Sequence, residues 1–291
     1  MGAILLDGEP VAARMRAEVA DRVAQLRTEG ITVGLGTILV GDDVPSERYV
    51  ALKHEDCAGI DMYSVGEHLP ATATQQEVMD AIARFNADPA VSAFLVQLPL
   101  PAGLDEEQAL LAVDPAKDVD GLHPVNLGRL VLGTPGTLPC TPAGIIELLH
   151  AYDVPVEGRH AVIIGRGVTI GRPLANLLTL KRPGLNAAVT VLHTGVDERD
   201  MAALTRTADI VVAAAGRPHL LTPDMVKPGA AVVSAGTSFE GKRLIPDAHP
   251  AVAEVAGWIT PRLGGVGPMT RAMLLRNALA AAERAARGNL G

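Results

Sequence analysis

Tyr49 and Lys53 stand four residues apart in YVALK, a spacing that puts both on one face of a helix. A partly buried lysine beside an aromatic ring supplies a positive charge or a proton at a reacting group. Surface packing uses the same pair. Gln97 ends an apolar run in VQLPLP, at a strand end of the kind where α/β domains bind ligands, and a satisfied core amide fits there equally. Asp118 and Asp120 share the KDVDG turn. A carboxylate there suits a heterocycle that presents a ring N–H beside an exocyclic amine; an Asx turn needs the same residue type. Residues 161–173 read AVIIGRGVTIGRP: an apolar run enters Gly165, Arg166 and Gly167, and Gly171 opens a predicted helix. A buried strand that turns on glycines into a helix aims backbone N–H groups and the positive end of the helix dipole at a phosphate. The spacing is G-x-G-x-x-x-G, which a plain strand–helix turn also satisfies. GGVGP, Gly264 to Pro268, either admits a flat ligand close to the backbone or is an ordinary loop.

The next predicted strand favours one nucleotide over another. An acidic residue at its end would bind the ribose 2′-hydroxyl of NAD. Here it ends Leu192-His193-Thr194-Gly195, without a carboxylate, and Arg166 stands in the turn. A guanidinium with hydroxyl donors suits a 2′-phosphate, so NADP is expected.

The elements that must hold these residues alternate. Val11, Met15, Val19, Val23 and Leu26 make one helical face. Val33–Val40 reads as a buried strand, and Pro45 and Ser46 open the helix that carries Tyr49 and Lys53. Thr74 and Glu77 form a capping box ahead of Val78, Ile82 and Phe85. Ala93–Leu98 is a further strand. The breaker-rich stretch 133–142 reads as a rim between domains, followed by a helix over Ala143–Ala151. Strands at Ala161–Gly165, Ala188–His193, Asp209–Ala214 and Ala230–Ser234 then give a doubly wound nucleotide-binding pattern. A helix over Arg271–Arg287 closes the chain. Two α/β domains are therefore expected: residues 1–142 with the terminal helix 270–291, and a Rossmann domain over 143–269.

Composition limits what such a chain can do. At 291 residues it can bury two cores, and 48% hydrophobic with 20% charged residues is the balance of a globular protein. Only 2% of residues are aromatic, so the cores must be aliphatic, and an exposed ring needs a reason. The net charge of −8, with no basic stripe, argues against a nucleic-acid partner. Cys57 and Cys140 lack ligand spacing and read as reduced, buried and structural. The N-terminus has no signal-peptide pattern, and no apolar run is long enough for a membrane span, so a cytoplasmic location is expected.

Taken in order, Y-x-x-x-K at 49–53, VQLPLP at 96–101, KDVDG at 117–121, PCTPAG at 139–144, GRGVTIGRP at 165–173 and GGVGPMT at 264–270 resemble one family. It is the bifunctional methylenetetrahydrofolate dehydrogenase/methenyltetrahydrofolate cyclohydrolase family, and the resemblance runs from about Leu6 to Ala282. It implies NADP-dependent oxidation of 5,10-methylenetetrahydrofolate to the 5,10-methenyl cation and hydrolysis of that cation to 10-formyltetrahydrofolate. Both steps would use a cleft between an N-terminal catalytic domain and the Rossmann domain. The resemblance assigns Lys53 to the cyclohydrolase step and Gln97 to its positioning. Tyr49 would stack on the reduced folate, Asp120 would hold the pterin edge, and Gly264, Gly265 and Pro268 would line the substrate. Gly165, Arg166, Gly167, Thr194 and Thr237 would lie along the dinucleotide. It implies a homodimer and no metal.

Three departures from the family pattern stand out. Gly167 replaces a serine in G-R-S. Ser234 stands where an aspartate precedes V-G, with Thr237 where an aliphatic residue follows. Pro261-Arg262-Leu263-Gly264 replaces P-V-P-G. These leave two alternatives: a monofunctional NADP dehydrogenase, or a non-catalytic NADP-binding homologue.

Overall fold

The computed structural model describes residues 2–240 and 243–288. The chain runs through β1 (Ile4–Leu5), α1 (Gly8–Thr28), β2 (Gly34–Val40), α2 (Val44–Gly59), β3 (Tyr63–Leu69), α3 (Gln75–Ala87) and β4 (Ala93–Val96). Helices α4 (Glu106–Ala112), α5 (Pro124–Leu132) and α6 (Cys140–Ala151) follow. Then come β5 (His160–Ile164), α7 (Gly171–Leu178), β6 (Ala188–Leu192), α8 (Glu198–Thr205), β7 (Ile210–Ala213) and β8 (Ala231–Ser234). A hairpin of β9 (Thr237–Glu240) and β10 (Arg243–Pro246), strand β11 (Trp258–Ile259) and α9 (Val266–Gly288) complete it. Contacts divide the chain into two compact units. One holds residues 13–129, 135–140 and the chain from Arg271; the other holds the chain up to Ala12, residues 130–134 and residues 141–270.

In the first unit three parallel strands lie in the order β3-β2-β4. GLGTILV, all of it buried, takes the middle because it carries no charge and its backbone can pair on both sides. YSVGEHL lies at the edge, and none of its residues is fully buried. Helix α3 starts with the expected capping box, Thr74 and Glu77 bonding reciprocally, and packs Val78, Ile82 and Phe85 on Ile38, Phe94 and Val96. Gly36 makes room for this: a Cβ there would lie 2.7 Å from the Phe85 ring.

The second unit is a six-stranded parallel sheet, order β1-β11-β8-β7-β5-β6. Its middle strands are continuous aliphatic runs, as burial on both faces requires, and the doubly wound pattern expected from the sequence is present. Residues 1–12, which the sequence groups with the N-terminal domain, contribute β1 to this sheet through pairing of Ile4 with Trp258. The C-terminal helix begins at Val266 rather than Arg271, so most of GGVGP is helix rather than loop. Pro268 sits in its first turn, where its missing N–H costs no hydrogen bond.

Candidate active site

Helix α2 starts where Asp43 accepts hydrogen bonds from the backbone N and the hydroxyl of Ser46, at 3.0 and 2.7 Å. Pro45 occupies the first turn, where it is preorganised. His54 docks the helix on the sheet. Its Nε2 lies 2.9 Å from Thr37 Oγ1 on β2, and its Nδ1 lies 2.9 Å from Ser64 Oγ on β3. Burial, helped by the neighbouring Lys53 charge, lowers the His54 pKa, so a neutral imidazole serves both hydroxyls.

That docking presents Lys53 to the end of β4. Lys53 Nζ donates to Gln97 Oε1 at 3.0 Å. Gln97 Nε2 donates to the Leu98 carbonyl at 2.7 Å, which fixes the amide with its oxygen toward the lysine. The Gln97 backbone N–H pairs with Ile38 O of β2. Tyr49, one turn earlier on α2, is 52% exposed, a ring free to cover a flat ligand.

Geometry separates the two aspartates that the sequence leaves equivalent. The Asp118 carboxylate is buried and accepts from Gly121 N, His123 N and Asn126 Nδ2 at 2.9–3.0 Å. It is the structural Asx-type turn. Asp118→Ala is expected to lower stability by about 2–4 kcal/mol, because it strands these buried donors; a urea unfolding midpoint reads the loss. The Asp120 carboxylate accepts no hydrogen bond among the described residues. Burial pushes its pKa up against the opposing pull of Lys53, and Asp118 adds to the rise. A desolvated, uncommitted carboxylate next to a cation is a group held ready for a ligand.

The sequence gives no sign of what holds the Asp120 loop. Asn277 of α9 donates to Val119 O at 2.9 Å and Leu138 O at 3.0 Å, and its Nδ2 lies 3.3 Å from Cys140 Sγ. Cys140 N in turn pairs with Asp120 O. Arg271 clasps Asp56 of α2 through two 2.5 Å bonds. Residues far apart in sequence make both contacts, so no local pattern announces them. Cys57 and Cys140 are free and buried, as expected. Asp42, Glu47 and His68 bring ligand-type atoms within 4.8 Å of one another on the surface, a grouping not visible in the sequence. Exposed acidic groups cluster in this way without an ion, and no step below needs one.

The residues read as cofactor-binding lie in the second unit. Gly165 ends β5 at φ +129°, and a Cβ on it would meet Ala214 O at 2.3 Å. Gly171, the first residue of α7, lies so close that a Cβ would meet Gly165 O at 2.1 Å. No side chain caps the N-terminus of α7. Arg166, Gly167 and Thr194 are exposed around this turn. Thr237 lies on β9, and its side chain falls outside the described residues. Gly264, at φ +82°, and Gly265 pack on Gly8, whose N–H donates to Gly264 O at 2.7 Å. Of the departures, Ser234 is built in: its N–H donates to Thr260 Oγ1 at 2.9 Å, and its hydroxyl accepts from Ala248 N at 3.3 Å. Arg262 donates to Leu244 O at 3.3 Å, and Leu263 is exposed.

Residues 6–120 match the family described as tetrahydrofolate dehydrogenase/cyclohydrolase, catalytic domain. Residues 139–286 match its NAD(P)-binding domain. The chain belongs to the tetrahydrofolate dehydrogenase/cyclohydrolase family. It is 57% identical over 287 residues to the bifunctional protein FolD of Syntrophotalea carbinolica, covering 99% of this chain and 98% of that one. Among solved structures, the bifunctional FolD enzyme of Campylobacter jejuni is 40% identical with a TM-score of 0.93, covering 97% of this chain and 99% of that one. The Trypanosoma brucei dehydrogenase-cyclohydrolase, complexed with NADP cofactor and inhibitor, is 37% identical with a TM-score of 0.91, covering 99% of each chain. As a member of this family the chain is an enzyme with both activities. It oxidises 5,10-methylenetetrahydrofolate with a nicotinamide cofactor, NAD(P), and hydrolyses the methenyl product to 10-formyltetrahydrofolate. These relatives lend no support to a monofunctional or non-catalytic alternative. Among the described residues, no helix is long and apolar enough to cross a membrane.

Proposed function

We propose that Lys53, Gln97, Asp120 and Tyr49 carry the folate chemistry. The observation that carries this reading is the 3.0 Å bond from Lys53 to an orientation-locked Gln97, beside the uncommitted Asp120 carboxylate. Asp120 accepts the paired N–H donors of the pterin edge and so sets the register of the substrate. Tyr49 covers its flat face, and Gly264, Gly265 and Pro268 complete the substrate contacts. In hydrolysis, water adds to the electrophilic methenyl carbon and loses a proton; the hydroxyl so formed then gives up its proton as the C=O forms and one C–N bond of the bridge breaks, that nitrogen taking up a proton, with one proton released overall. Lys53 is the group that moves these protons, taking one from water as the amine and giving one to the nitrogen as the ammonium, and Gln97 holds its Nζ at the reacting centre.

Residues at the glycine turn fit NADP. Gly165 and Gly171 let the strand and helix meet with no side chain between them, the N-terminus of α7 has no cap of its own, and no carboxylate ends β6. When bound, NADP supplies the hydride acceptor. Gly165 and Gly167 would face the pyrophosphate, Arg166 and Thr194 the 2′-phosphate, and Thr237 would lie along the dinucleotide. With Gly167 in place of a serine hydroxyl, discrimination falls mainly on Arg166. Arg166→Ala is therefore expected to raise KM for NADP by about 10-fold or more while KM for NAD changes little. Equal losses for both cofactors would refute the 2′-phosphate role. The same reading takes the chain to be a cytoplasmic homodimer; sedimentation velocity tests the oligomeric state, and a monomer at micromolar concentration would refute it.

A further inference from the structure

Asp247, the residue after β10, is fully buried. Its Oδ2 accepts from the backbone N–H groups of Ala215 at 2.7 Å and Gly216 at 3.0 Å. Its Oδ1 has no hydrogen-bond partner among the described residues. Burial raises its pKa against the pull of the backbone N–H groups of Ala215, Gly216 and Arg217. The fold also reserves space for it, since a Cβ on Gly236 would lie 2.0 Å from Oδ2. A buried carboxylate with one oxygen unbonded is costly, and an apolar side chain would fill the same volume more cheaply. What Asp247 secures is the segment after β7. Ala214 N pairs with Ile164 O at 2.8 Å, and Ala214 O is the atom against which Gly165 lies. Strands β5 and β7 are neighbours in the sheet, and the order runs outward from them in opposite directions, to β6 on one side and β8 on the other. In an open parallel sheet, ligands bind outside the carboxyl ends of the strands at such a point. One side chain therefore pins the two N–H groups beyond Ala214, and Ala214 backs the glycine turn.

We propose that Asp247 is a positioning residue of the NADP site, fixing the Ala214–Gly216 segment against Gly165 and thereby the shape of the dinucleotide turn. The inference rests on the reading that the Gly165–Gly167 turn carries the cofactor. Asp247→Leu puts a larger, apolar side chain at the site and removes both acceptor bonds. It is expected to raise KM for NADP by about 10-fold or more, with kcat at saturating NADP and KM for the folate within about 3-fold. Asp247→Asn keeps a carbonyl oxygen that accepts both N–H groups, and is expected to return KM for NADP to within about 3-fold of the parent enzyme. A residue with a merely structural role would lower Tm or the active fraction while leaving KM for NADP unmoved, and that result in both variants overturns the proposal. If Asp247→Leu does not fold, Gly236→Ala presses on the same carboxylate and must raise KM for NADP selectively; an unchanged value overturns the proposal. Arg166→Ala, assayed alongside, separates the two failures. A rise there with none in the Asp247 and Gly236 variants refutes the positioning role alone. No rise in Arg166→Ala refutes the cofactor-turn reading beneath it.

Discussion

Lys53→Met loses hydrolysis of 5,10-methenyltetrahydrofolate by at least about 10²-fold, the lower end of what a positioned acid–base group contributes, and keeps its fold. Methionine retains most of the aliphatic stem on the half-buried face of α2 and removes the ammonium that donates to Gln97. The forces that hold α2 lie elsewhere, in the His54 contacts with Thr37 and Ser64 and in the Arg271–Asp56 clasp, so an unchanged circular dichroism spectrum accompanies the loss. Decay of added methenyl-folate absorbance, corrected for spontaneous hydrolysis, reads the rate. Hydrolysis at the parent rate would remove Lys53 from the mechanism.

Asp120→Asn moves binding and stability in opposite directions. The amide offers one acceptor where the carboxylate offers two, and it turns an NH2 toward the donors of the pterin. KM for the folate is expected to rise by about 10–100-fold, the range for hydrogen bonds to a charged group. The free enzyme becomes more stable at neutral pH. Burial raises the native pKa of Asp120 above its unfolded value, so the charged form costs stability at every pH above that raised pKa. As pH falls through the raised value the native state takes up its proton first and the cost disappears. The gain from Asn is thus present at pH 7 and absent below the ordinary carboxylate range. Each kcal/mol relieved raises Tm by about 2–4 °C for a domain of this size. Parallel thermal melts at pH 7 and in acid give the sign. An unchanged folate KM would refute the binding role, and a lower Tm at pH 7 would refute the burial argument. This opposition between stability and activity is what a desolvated binding group produces.

The features legible in the sequence are those where physics acts locally. The helix face of Tyr49 and Lys53, the strand end at Gln97, the capping box at Thr74 and the glycine turn at Gly165 each arise within a few residues, through helical spacing, burial or backbone freedom. Strand β3 is not legible because an edge strand needs no continuous apolar run: no residue of YSVGEHL is fully buried, and Ser64, Glu67 and His68 interrupt its apolar residues. Strands β1 and β11 are two residues each and exist only through pairing with one another and with β8. The split between Asp118 and Asp120 was illegible because it depends on which donors fold around each carboxylate, and Asn126 is eight residues away. Asn277 and Arg271 act across more than a hundred residues, and the sequence marks the segment that carries them only as a closing helix. Asp247 was invisible for the same reason, since its partners Ala215 and Gly216 present only backbone.

A single progress curve tests both activities most directly. Purified protein is given 5,10-methylenetetrahydrofolate and NADP, with NADPH followed by near-ultraviolet absorbance and methenyl-folate quantified before and after acid quench. NADPH is expected to form without accumulation of methenyl-folate, and acid then converts the accumulated 10-formyl product to the methenyl form. NADPH with methenyl-folate building up in step would contradict the cyclohydrolase half, and no reduced cofactor at all would contradict the whole.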